Sequence, residues 1–223
     1  MPTFGFSAFL KLISLNSRPQ FTAIRNRSTP SLSDGGYDFH RSLKRLAHRL
    51  VVGGEPLADL LREAERIARE PERNSAKAGL ERLSRWRAVN SGRVLSFASV
   101  LYESPAKEFK VQYQPNFGIE VDGRGVAIHL WNTAKPDLDD RMTYGALSLF
   151  PSLYAAQSEG PNDVAVLSLP ESRLYRFSDV GDYTEVGLRL VRRLDDLFAR
   201  ARSEPSRPSS PPRHRPTPPI DPK

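Results

Sequence analysis

The chain has no cysteine, which excludes a disulfide framework, a thiolate nucleophile, a zinc–thiolate site and an iron–sulfur cluster. It also lacks any run approaching the ~18 apolar residues that a membrane span requires, so no membrane insertion is expected. The glycine-rich sequences that cradle phosphates, GxxxxGK[ST] and GxGxxG, are missing. So is the GxSxG elbow of serine hydrolases. There is no internal repeat and no sustained heptad pattern. No cofactor and no metal site are implied.

What the chain does have is positive charge, a formal +7 over 223 residues. The charge is unevenly placed. Residues 1–33 hold Lys11, Arg18, Arg25 and Arg27 and no acid, and the last 21 residues hold four Lys or Arg against Glu204 and Asp221. Residues 41–93 carry 13 basic against 7 acidic side chains, whereas residues 94–202 carry 12 against 15. A polyanion would therefore be drawn to the front half and the tails rather than to the later half.

Three segments follow from composition. Residues 1–33 begin apolar and become Arg- and Ser-rich, a pattern shared by organellar transit peptides. The favoured reading is a helix from about Phe4 to Leu15 docking its Phe and Leu side chains on a core, followed by a loop, in a cytoplasmic protein. Residues 34–202 form one domain, helical over 37–90 and sheet-containing over 92–202. Residues 203–223 include eight prolines and one apolar residue, Ile220, and are expected to be a disordered tail able to offer Pro-rich ligand surface.

Within the domain, Leu43, Leu46, Ala47, Leu50 and Val51 recur at helical spacing, as do Leu57, Leu60, Leu61, Ala64, Ile67 and Ala68. Pro71 opens a third helix carrying Leu80, Leu83 and Trp86. From Gly92 the period becomes two, predicting strands at 94–102 or 108–113, 117–122 and 125–131, with Asp122 to Gly125 as a hairpin turn. A helix over about 138–150, a strand near 163–169, a short strand at Arg173–Ser178 and a closing helix up to Arg202 complete an α+β domain. It has a helical N-terminal half packed on a small mixed sheet.

The candidate site residues are few. His129 alternates with Ile128 and Leu130 and shares a strand face with Trp131. An exposed His129–Trp131 pair would stack on a base or hold a small ligand. A buried one would lie beneath a helix, with His129 bonded to a backbone carbonyl, and this is the commoner outcome. Glu120 and Asp122 face one way on the preceding strand and are the weak catalytic candidates together with His129. His40 and His48 share a helix face without a carboxylate to complete a metal site. Arg41, Lys44, Arg45 and Arg49 make the outer face of their helix basic and suit it to a nucleic-acid or protein partner.

The order α-β-β-β-α-β over residues 72–170 resembles the core of PD-(D/E)XK, or restriction-endonuclease-like, proteins. That resemblance implies an acid at the second strand, which Asp122 supplies in "IEVDG", and an acid and lysine on the third. The third strand instead reads "AIHLWN", with His129 and Trp131 in those places. The chain is accordingly expected to be a binding protein with a degenerate nuclease-like core. The alternative is a metal-dependent hydrolase with an atypical site around Asp122.

Overall fold

A computed structural model describes residues 1–28 and 38–203. The expected Pro-rich tail after Ser203 lies outside the described residues, as does the segment 29–37. The fold is α+β, with two separate mixed sheets.

The chain enters as β1 (Thr3–Gly5), α1 (Phe6–Ile13) and α2 (Ser17–Ser28). The sequence predicts one helix from about Phe4 followed by a loop. A three-residue strand instead precedes the helix, and the expected loop is largely α2. The strand exists because β4 offers it a parallel partner, pairing Thr3 with Lys110 and Gly5 with Gln112. No local pattern announces such a contact.

The helical segment that follows comprises α3 (Arg41–Val51), α4 (Leu57–Ala64) and α5 (Glu70–Val89). Their apolar stripes meet one another, with Leu43, Leu46, Leu60, Leu80 and Leu83 each at most 2% exposed. Pro71 sits in the first turn of α5, where its missing N–H costs nothing. Gly54, at φ 65°, turns the chain out of α3.

Among the described residues seven strands come after α5, and they do not form a single meander. The five-stranded sheet runs β2 (Val94–Leu95), β5 (Phe117–Val121), β6 (Arg124–Trp131), β7 (Asp163–Ser168) and β8 (Arg173–Arg176). β6 and β7 are parallel and the other neighbours antiparallel. β3 (Val100–Glu103) and β4 (Lys110–Tyr113) leave this sheet and join β1 in a second one. Asp122 (φ 50°) and Gly123 (φ 73°) form a two-residue turn between β5 and β6, the left-handed pair that a tight hairpin needs.

α6 (Asp140–Leu147) starts two residues later than predicted, because Asp139 caps it by accepting the Met142 amide at 2.8 Å. Pro151 opens a separate short helix, α7 (Pro151–Ala155), and α8 (Thr184–Ser203) closes the fold. The order α5, β2, β5, β6, α6, β7 thus occurs in the larger sheet, with the β3–β4 hairpin inserted.

The larger sheet separates two cores. Ile119, Val126, Ile128 and Leu130 face α3, α4 and α5. Ala127, Trp131, Val164 and Val166 face the second sheet, α1, α6 and α8. Tyr113 reaches across from the second sheet, its hydroxyl 2.7 Å from Ala127 O and 2.8 Å from Ala165 O.

α6 and α8 cross where two glycines meet. A Cβ on Gly187 would overlap Gly145 O and Ser148 Oγ, and backbone cannot step aside as a side-chain tip can. Gly187→Ala is therefore expected to destabilise the fold by about 1–3 kcal/mol, outweighing the ~1 kcal/mol that alanine's helix propensity returns. Chemical denaturation checks this, and a stabilised variant would show that the helices separate freely.

Candidate functional site

An open groove of about 1310 Å³ indents the described part of the molecule. Its floor is made by the start of α1, the loop after β4 and the C-terminal half of β6. Its walls are the residues around Asp38 to His48, the end of α2 and the stretch after β2.

His129 lies at the floor and is only 4% exposed. Its Nδ1 is 3.1 Å from Gln114 O and its Nε2 is 2.7 Å from Ser7 Oγ. A carbonyl oxygen only accepts, so Nδ1 carries the proton. In the neutral ring Nε2 is then the acceptor, and the Ser7 hydroxyl donates to it. Burial pushes the His129 pKa down to about 4, and the hydrogen bond that Nδ1–H donates to Gln114 O only partly opposes that shift. The ring is therefore neutral at neutral pH.

The carbonyl that orients the ring is itself held in place. Asn116 donates its backbone N–H to Ile128 O at 2.8 Å, and its Oδ1 accepts the Leu130 amide at 2.7 Å. The side chain thus continues the ladder and ties the 114–116 loop to β6. Phe6 packs edge-on against the imidazole, with centroids 5.3 Å apart.

Trp131 shares the His129 face, as the alternation requires, but is 2% exposed inside the core. Of the two arrangements weighed from sequence, the buried one favoured there is the one present, with His129 bonded to a backbone carbonyl, and the exposed stacking pair is not formed.

Glu120 and Asp122 stand at the other end of the hairpin. Five residues of β6 separate the turn from His129, about 17 Å of strand. Glu120 pairs with Arg93 at 3.4 Å and Asp122 with Arg176 at 2.8 Å. The structure does not bring these carboxylates to His129. Among the described residues no three His, Asp or Glu side chains converge as a metal cluster.

The basic helix α3 is divided. Arg45 pairs with Glu63 at 2.7 Å, and Arg49 pairs with Glu55 at 2.5 Å and also with Glu63. The hydrogen bonds that Arg49 donates to those carboxylates raise its pKa, and the same contacts lower those of Glu55 and Glu63. With Lys44 paired to Asp38 as well, three of the four basic residues counted from the sequence on that face are matched by carboxylates within the molecule. Arg41 is exposed in the first turn and does not line the groove. Lys44 and Arg45 do line it, and Lys44 pairs with Asp38 at 3.1 Å.

Sequence reasoning missed three contributors. Ser7 and Lys11, four apart on α1, both line the groove, and so does Arg27 at the end of α2. Among the described residues Lys11 and Arg27 form no ion pair; the Arg27 guanidinium lies 4.7 Å from the Phe4 ring centre. Phe39, 36% exposed, stands at the rim beside His40. His40 bonds Thr133 Oγ1 at 3.2 Å, its buried Nδ1 has no partner among the described residues, and burial lowers its pKa. The spacing of Ser7 and Lys11 was readable in sequence, but nothing local links them to a histidine 122 positions away.

No helix among the described residues is long and apolar enough to cross a membrane. No family model matches the chain and no curated protein matches it. Among solved structures it is similar to SSO0001, at 12% identity over 80% of this chain and 83% of that one, with a TM-score of 0.32. A likeness of that size carries no argument about fold or function.

Proposed function

We propose that this chain is a binding protein for single-stranded nucleic acid, taken up in the groove between α1, α3 and the 114–116 loop. The supporting observation is the segregation of charge. Lys11, Arg27, Lys44 and Arg45 line the groove, and Asp38, which pairs with Lys44, is the one carboxylate among its described lining residues; the Glu63 that pairs with Arg45 does not line it. Cations tracking a backbone, with an aromatic ring to stack a base, are the means by which single strands are held without reading sequence. Phe39 offers that ring, and the side-chain amides of Gln112, Gln114 and Asn116 offer neutral contacts. A PD-(D/E)XK-like frame without its acid and lysine is compatible with this reading, which takes only the order of elements from it.

The test is anisotropy with labelled single-stranded RNA and DNA between 50 and 200 mM salt. Replacing Lys11, Arg27 and Lys44 together by alanine should weaken binding at least tenfold. It should also flatten the log–log salt slope by about 2, since each phosphate contact on a single strand contributes ~0.7. Phe39→Ala should cost a further ~1–3 kcal/mol. Unchanged affinity and slope in the triple variant would remove the groove as the binding surface. Tight binding of duplex in preference to single strands would contradict the stacking role of Phe39.

A further inference from the structure

Ser7, His129 and the Gln114 carbonyl form a chain of hydrogen bonds, 2.7 and 3.1 Å long, opening on the groove. From this geometry we propose that Ser7 is a nucleophile for acyl transfer, with His129 as its general base and carboxylic esters as its substrate class. A hydroxyl is a weak nucleophile unless a base takes its proton, and the recurring arrangement is nucleophile, base and a third group that orients the base. Here the orienting group is a backbone carbonyl rather than a carboxylate. It fixes the tautomer in which Nε2 is free to accept.

The surroundings suit the step. Ser7 is half-buried while His129 is closed off behind it, so a ligand in the groove meets the hydroxyl and not the ring. Ser7 occupies the first turn of α1, whose leading N–H groups have no intrahelical acceptor. That helix has no capping side chain and no acid in its first turn. The amides of Ser7 and Ala8 thus lie where negative charge on a carbonyl oxygen would be stabilised.

Ser7 Oγ bonds to the ester carbon as its proton passes to His129 Nε2. The tetrahedral adduct collapses with cleavage of the bond to the alkoxy oxygen, which takes the proton from Nε2 and leaves as an alcohol. Water, deprotonated by Nε2, then attacks the acyl-Ser7 ester; the bond from the acyl carbon to Ser7 Oγ breaks, Nε2 returns the proton to Oγ, and a carboxylic acid is released. This proposal depends on the groove's charge only for substrate preference: Lys11, Arg27 and Lys44 would favour esters bearing a negative group.

The full chain is incubated with a neutral fluorophosphonate and with p-nitrophenyl acetate, followed by intact-mass and peptide mapping. The expected result is one adduct per chain, at Ser7, forming at least 100-fold faster than at Ser96 on the same groove, the smallest gain general-base help usually gives. Mapping on the unaltered chain needs no variant. Ser7→Ala should abolish the adduct, and Ser7→Cys should restore acylation by the ester. Lys44 and Asp38 are the charged groups whose fields reach the imidazole. With His129 neutral throughout, the labelling rate should be flat from pH 5.5 to 8. A hydroxyl without a base would react about tenfold faster per pH unit as alkoxide forms. No adduct at Ser7, or one rising tenfold per unit, overturns the proposal. Labelling at Ser7 without preference for anionic esters leaves the nucleophile standing and counts against the cationic groove alone.

Discussion

A chain beginning at Ser17 is expected to lose cooperative folding altogether. The deleted segment buries Phe4, Phe6, Phe9, Leu10, Leu12 and Ile13, none more than 4% exposed. At ~1.5–3 kcal/mol for each fully buried side chain, six amount to roughly 9–18 kcal/mol. That equals or exceeds the ~5–15 kcal/mol by which domains are stable at all. The deletion also strips β1 from β4 and uncovers Phe109 and Phe198, against which Phe4 packs edge-on at 6.1 and 5.8 Å between ring centres. The single change Phe6→Ala should already cost about 3–5 kcal/mol, since that ring touches Tyr113, His129 and Phe150. Thermal melts followed by near-ultraviolet circular dichroism decide the matter. A truncated chain that melts cooperatively within a few degrees of the full one would show the segment to be dispensable, as a removable leader must be.

Acid should destabilise the protein well before its carboxylates titrate. His129 has a folded pKa of about 4 because burial disfavours the imidazolium, against ~6.5 in the unfolded chain. Below pH 6.5 the unfolded state takes up a proton that the folded state refuses. Stability is thus fully present above pH 6.5 and declines as pH falls toward 4. At ~1.4 kcal/mol per pKa unit the loss is on the order of 3 kcal/mol across that window. His40, whose pKa burial also lowers, adds in the same direction. Urea titrations at pH 7 and pH 5 test the sign where most carboxylates remain ionised. Stability that is level over that interval would mean that His129 is protonated, or solvated, in the folded state. The same neutrality underlies the Ser7 chemistry, so the two measurements constrain one another.

Local pattern accounts for a definite part of this molecule. The stripes of α3, α4, α5 and α8 and the alternation of β4 and β6 depend on neighbours three, four or two positions away, and such spacings are visible in sequence. Asp122 and Gly123 announce their turn because few other residues accept its dihedral angles. The alternation along β6 also placed His129 and Trp131 on one face.

Which face that would be was decided elsewhere. α1, more than a hundred residues upstream, packs Phe6 and Ser7 against His129, and Trp131 lies in the same core. Likewise, thirteen basic residues in 41–93 suggest a broad cationic surface. Packing α4 beside α3 places Glu55 and Glu63 on Arg45 and Arg49, and Asp38 takes Lys44, so among the described residues the groove cations without an ion pair are Lys11 and Arg27, on other helices. Charge along a chain is a sum, while charge at a site depends on which side chains can reach one another. Only the fold brings Ser7, Gln114 and His129 within hydrogen-bonding distance, because contacts between distant segments carry no period that a sequence can display.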